Sequence, residues 1–137
     1  MAARVDPEEF RLRTLAHPAA ADIRLDDVLF ALSDPHRRAI LSLLAHDGDS
    51  LSGTCALAAG AEPSAASHHL KVLREAGITS TAVAGTSRIV SLRRDELDSR
   101  FPGLIDSILG ASTLPRPTQQ EAAEMLGIRD DPESHAH

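Results

Sequence analysis

A mainly helical fold with one small β-hairpin is what this sequence predicts, and three observations carry it. Apolar residues recur at three- and four-residue spacing through most of the chain. Pro or Gly punctuates that pattern where helices would start and stop, as at Ser33-Asp34-Pro35, Pro63 and Gly77. After Gly77 the composition turns β-prone: Ile78, Thr79, Thr81 and Val83 precede Ala84-Gly85-Thr86-Ser87, and Arg88, Ile89, Val90 and Leu92 follow, which reads as a hairpin.

The elements follow in order. Asp6-Pro7-Glu8-Glu9 offers a cap, a Pro at the first helical position and an acidic residue at the capping-box position, so a short helix is expected over about 7–16, ended by His17-Pro18. A second helix is expected over about 25–32, with Leu25, Val28, Leu29 and Leu32 on one face. Asp34-Pro35 starts a third, running through His46 with Ile40, Leu41 and Leu44 inward and stopped by Asp47-Gly48-Asp49. A short Ala-rich helix over 51–59 ends at Gly60, and a longer one opens at Pro63 and closes at Gly77. Two helices joined by so short a Gly-containing turn form a helix-turn-helix, and the hairpin after them is then a wing. Leu97, Phe101, Leu104, Ile105, Ile108 and Leu109 continue as a helical apolar stripe broken at Pro102-Gly103. Thr118-Gln119-Gln120-Glu121 is a capping box for a small last helix stopped at Gly127, and a polar tail follows. The expected division is an N-terminal extension over 1–24, a winged helix-turn-helix domain over 25–111 and a C-terminal extension over 112–137.

The 137 residues suit one compact domain. Its core must be aliphatic, because there are three Phe and no Trp or Tyr. That shortage removes any aromatic platform for stacking single-stranded bases. No apolar run approaches the ~20 residues of a membrane span, and MAARVDPEEF lacks the basic-then-apolar order of a secretory signal, so a cytoplasmic protein is expected. The formal charge of −6 is unevenly spread: the balance is −3 over 1–35, +3 over 36–94 and −6 over 95–137. Only the segment holding the helix-turn-helix and hairpin is basic, and local field is what a polyanion meets.

At about 100° per residue, Leu70, Leu73 and Gly77 fall within about 40° of Ala66 on the 63–77 helix, while Ser64, His68, Lys71 and Glu75 lie opposite. One face packs and the other offers hydroxyls, an imidazole and an ammonium to base edges and phosphates. His69 lies about 60° from the Ala66 direction, which makes it a structural residue, whereas a neighbouring His68 points out. Adjacent helical His side chains diverge, so the pair is a poor metal site.

The stretch Ala31-Leu32-Ser33-Asp34-Pro35-His36-Arg37-Arg38-Ala39-Ile40-Leu41 and the stretch Ser64-Ala65-Ala66-Ser67-His68-His69-Leu70-Lys71-Val72-Leu73-Arg74-Glu75-Ala76-Gly77-Ile78 closely resemble ArsR/SmtB regulators over roughly residues 25–110. The resemblance implies a homodimer, paired through the first and last core helices, that binds double-stranded DNA. It implies DNA contacts from Ser64, Ala65, Ser67, His68, Lys71 and Arg74 on the recognition helix and from Thr86 and Arg88 in the wing. Two departures stand out. Glu62 replaces the usual Ser or Thr cap and sets an anion near DNA, and Ser87 stands where a second wing Arg is common.

Many such relatives sense metals, but the thiolate site would fall at Leu51 and Gly53, and the C-terminal site lacks a His between His69 and His135. No metal site and no cofactor is therefore expected, and an acidic tail with His135 and His137 supplies no fixed geometry. Cys55 reads as a small buried hydrophobe, with a redox switch as the alternative. No catalytic constellation or Gly-rich phosphate loop appears, so an enzyme is not expected. The competing reading is a winged-helix module that binds another protein or needs a co-regulator, motivated by the acidic ends, Glu62 and the sparse wing; an inducer is left open.

Overall fold

The computed structural model describes residues 13 to 112 together with Gly127. Six helices and a four-stranded antiparallel sheet make up the described part: β1 (Arg13–Thr14), α1 (Leu25–Ala31), α2 (Pro35–Asp47), β2 (Ser50–Leu51), α3 (Ser52–Ala59), α4 (Pro63–Glu75), β3 (Thr79–Ala84), β4 (Ser87–Leu92), α5 (Arg94–Arg100) and α6 (Leu104–Ser112). A single 3-10 turn, Ala20–Asp22, precedes α1. The fold is a winged helix-turn-helix. α3, the turn at Gly60 and α4 form the helix-turn-helix, and the β3–β4 hairpin is the wing.

Local chemistry explains most boundaries. Asp34 caps α2 by accepting from the backbone N–H of His36 at 2.7 Å and of Arg37 at 3.2 Å, with Pro35 at the first helical position. Gly48 and Gly60 end α2 and α3 in positive-φ conformations, at 79° and 65°. Gly77 follows α4 at φ +86°, and a Cβ there would lie 2.5 Å from Ile23 Cγ1, so this position needs glycine both for its backbone and for its space.

The sheet is larger than the hairpin expected from sequence. Its order is β1-β3-β4-β2. β2 pairs Ser50 with Val90 and Leu51 with Ile89, on the far edge of the wing. β1 pairs Arg13 with Val83 and Thr14 with Ala82, and Leu15 N–H donates to the Thr81 carbonyl at 2.8 Å. This corrects the helix expected over 7–16: residues 13 and 14 are strand, because the open edge of β3 offers backbone partners that outweigh a weak local helix signal. Leu15 and Ala16 are not helical either; residues 7–12 of that expected helix, the helix over 118–127 apart from Gly127, and the tail from 129 lie outside the described residues.

Of the segment assigned to an N-terminal extension, the described residues 18–23 pack against the rest of the fold. Ile23 is a fully buried core residue. Arg93 donates to the Pro18 carbonyl at 2.6 Å, and Arg100 donates to the carbonyls of Ala21 at 2.8 Å and Ile23 at 2.6 Å. One apolar core unites Ile23, Val28 and Ala31 with Ile40, Leu41, Cys55, Leu73, Ile78, Val90, Leu97 and Ile105, so α1 to α6 and the sheet share it. Of the α1 face read from sequence, Val28 and Leu32 are buried, whereas Leu25 and Leu29, with Phe30, are exposed.

Candidate nucleic-acid interface

Pro63 starts α4, and Glu62 before it makes no side-chain cap bond. Ala66, His69 and Leu73 are buried and Leu70 is half-buried, so one side of α4 faces the core. Ser64, Ser67, His68 and Lys71 are exposed on the other side, and Ala65 and Arg74 are half-buried between the two. Thr86 and Arg88 are exposed at the turn and outgoing strand of the wing. Lys71 lies 3.8 Å from Glu75 one turn on, with both side chains about 60% exposed, a pair too weak to hold the ammonium away from a competing phosphate.

The helix is keyed in place from behind. Arg37, buried in α2, donates from one terminal nitrogen to His69 Nδ1 at 3.1 Å, from Nε to the Ala31 carbonyl at 2.5 Å and from the other terminal nitrogen to the Phe30 carbonyl at 3.4 Å. One guanidinium thus joins the end of α1, the start of α2 and the middle of α4. The His36 ring stacks on that of His69, with centroids 5.2 Å apart and planes 15° from parallel. Burial pushes the His69 imidazole below its ordinary value, the Arg37 charge adding to the effect and the Asp34 carboxylate opposing it. A neutral ring is the form that accepts from Arg37.

Asp34, His36 and His69 each bring a potential ligand atom within 4.8 Å of the others, a grouping the sequence reading missed because His69 lies on a different helix, far along the chain from Asp34 and His36. Its atoms are already engaged. Asp34 Oδ1 caps α2, His69 Nδ1 accepts from Arg37, and the guanidinium beside them repels a cation. The cluster does the work of a lock between helices. Cys55 is fully buried in α3, and burial pushes its thiol up, away from the reactive thiolate.

A second grouping joins expected and unexpected residues. Ser67 and Arg74 of α4 and Arg88 of β4 line a cavity of about 90 Å³ together with Ser52 at the start of α3 and Thr81 of β3. Ser52 and Thr81 carried no signal in the sequence, since only the tertiary fold sets them beside the recognition helix and wing.

A family model for the helix-turn-helix domain matches residues 32–81, from the end of α1 to the middle of β3. The chain is also 38% identical over 79 residues to the uncharacterized helix-turn-helix type transcriptional regulator YceK of Bacillus subtilis (strain 168), a match covering 57% of this chain and 79% of that protein. With the two-helix unit, its wing and the outward face of α4 already in place, the chain belongs to the helix-turn-helix type transcriptional regulators.

Proposed function

We propose that the chain is a sequence-specific, homodimeric DNA-binding repressor of the ArsR/SmtB type, acting in the cytoplasm on an inverted-repeat operator. The observation that supports this most is the sidedness of α4: Ser64, Ser67, His68 and Lys71 stand exposed on a helix whose back is locked to α2 by Arg37 and His69. A rigid helix with donors and acceptors on its outer first turns suits the major groove, and a wing ending in Thr86 and Arg88 suits the adjoining backbone. Dimerisation through α1 and α6 accounts for the exposed Leu25, Leu29 and Phe30, since large apolar side chains gathered on one helix are otherwise left in water. The pair would set two recognition helices about 34 Å apart in successive major grooves.

Sedimentation and gel-shift titration of the pure protein test this together. A dimer that retards a selected operator far more strongly than random duplex is expected. Equal affinity for both duplexes contradicts the specificity, and a monomer at binding concentrations contradicts the assembly. The second reading, a winged-helix module for a protein partner, draws on Leu57 of α3, which is 84% exposed on the helix-turn-helix itself. Failure of the pure protein to shift any promoter duplex, with a shift restored by a co-regulator, favours that reading.

A further inference from the structure

We propose that Ser52, Ser67, Arg74, Thr81 and Arg88 form a seat for one tetrahedral oxyanion, a phosphodiester group of duplex DNA held between the recognition helix and the wing. The proposal rests on the DNA-binding reading above and specifies how the backbone is gripped. Charge balance is the first ground. Among the described residues Arg24, Arg93 and Arg94 pair with carboxylates, and Arg37, Arg38 and Arg100 donate to backbone carbonyls. Arg74 and Arg88 do neither, nor does Arg13 on β1, and of these three Arg74 and Arg88 meet at one cavity.

The second ground is an unsatisfied donor. Arg74 Nε is shut off from solvent and has no acceptor among the described residues. A buried guanidinium N–H is rarely left so, and the natural acceptor for it is an anion entering the cavity. The polar lining is otherwise three hydroxyls, from Ser52, Ser67 and Thr81, each able to donate to an oxyanion, and no carboxylate lines it. Ser52 also begins α3, whose free N-terminal N–H groups favour negative charge. Leu70 and Val90 close the sides with apolar surface, which strengthens charge-assisted bonds formed inside.

Size and position narrow the occupant. A cavity of about 90 Å³ is large enough for one phosphate group. Its rim residues, Ser67 and Arg88, are exposed and belong to the two elements that flank a duplex in the docking proposed above. A phosphodiester in the seat would fix the angle between α4 and the wing, so this contact sets register while Ser64 and His68 read bases.

The test uses the full chain with Arg74→Gln, Arg88→Gln and the double variant, each bound to operator duplex over a range of salt. One phosphate contributes about 0.9 to the slope of log affinity against log salt. Because both guanidinium groups share one phosphate, the double variant is expected to lose about 0.9 of slope in total. A loss near 1.8, the value for two separate phosphates, or no change in slope, overturns the shared seat. Arg88 lies on the exposed hairpin, so if Arg74→Gln unfolds, the phosphate titration of native protein and Arg88→Gln carries the comparison. In a second arm, sodium phosphate is titrated into 15N-labelled protein. A saturable shift of the Arg74 Nε–H resonance, lost in Arg88→Gln, supports the seat, and no shift overturns it. A phosphate response in a protein that binds no duplex keeps the anion site and overturns DNA as its source; duplex binding with unchanged slopes and no phosphate response does the reverse.

Discussion

Asp34 shows how much a single residue controls here. Its carboxylate is raised by burial but lowered more by the backbone N–H groups of Arg37 and His36, and the net result lies below the ordinary value. Glu96 is held down likewise by its bond to Arg93 at 2.8 Å, against the opposing effect of burial. His69 is displaced in the sense that keeps it neutral. The signs agree. Below about pH 6.5 an unfolded imidazole takes up a proton that folded His69 resists, so stability falls as pH drops through that window. The Asp34 and Glu96 contributions are fully present well above the ordinary values of 3.8 and 4.5, above about pH 5.5, and are lost as pH falls from there through their folded values. Urea midpoints at pH 8, 6 and 4 should therefore fall steadily, and His69→Gln, whose amide can still accept from Arg37, should flatten the upper step. A midpoint unchanged from pH 8 to 5 in the native protein contradicts the locked, neutral His69.

The helices from α1 to α4 were legible because their signals are local, whereas the cap-and-Pro signal for a helix over 7–16 misled where the chain pairs with β3. Asp34-Pro35, Pro63, Gly60 and Gly77 stand at ends that a handful of neighbouring atoms determine, and α4's two faces follow from its period alone. β1 and β2 were not legible. Their two-residue lengths carry no pattern, and they exist because β3 and β4 offer open edges to whatever chain the fold brings alongside. The outward residues of α4 and the wing could be named from sequence, whereas Ser52, Thr81 and the Arg37–His69 lock needed tertiary proximity. Gly77 joins both kinds of information, since its role as a stop was visible but its contact with Ile23 and Pro18 was not. Gly77→Ala should cost roughly 2–4 kcal/mol in denaturant unfolding, combining the positive-φ penalty with overpacking against Ile23. A loss below about 0.5 kcal/mol shows that the junction between α4 and β3 can relax around a methyl group.

For the molecule as a whole, net charge misleads and its distribution informs. An acidic chain of −6 is nonetheless basic over the segment that holds the helix-turn-helix and hairpin, because the surplus of acid lies in the first 35 and last 43 residues. The core reaches from Ile23 to Ile105, so α4 is carried on a body that packs against it and is hydrogen-bonded to it from behind through Arg37 and His69. The claim on which the rest depends is that Ser64, His68 and Lys71 meet DNA from this face, with distinct tasks. The most direct measurement is the affinity of Ser64→Ala, His68→Ala and Lys71→Ala for a panel of operator duplexes carrying single base-pair changes. Lys71→Ala should weaken binding to every duplex by a similar factor, while Ser64→Ala and His68→Ala should change the order of preference, with about 1–3 kcal/mol lost at the base pairs they read. Native affinity and native preference in all three variants would contradict it.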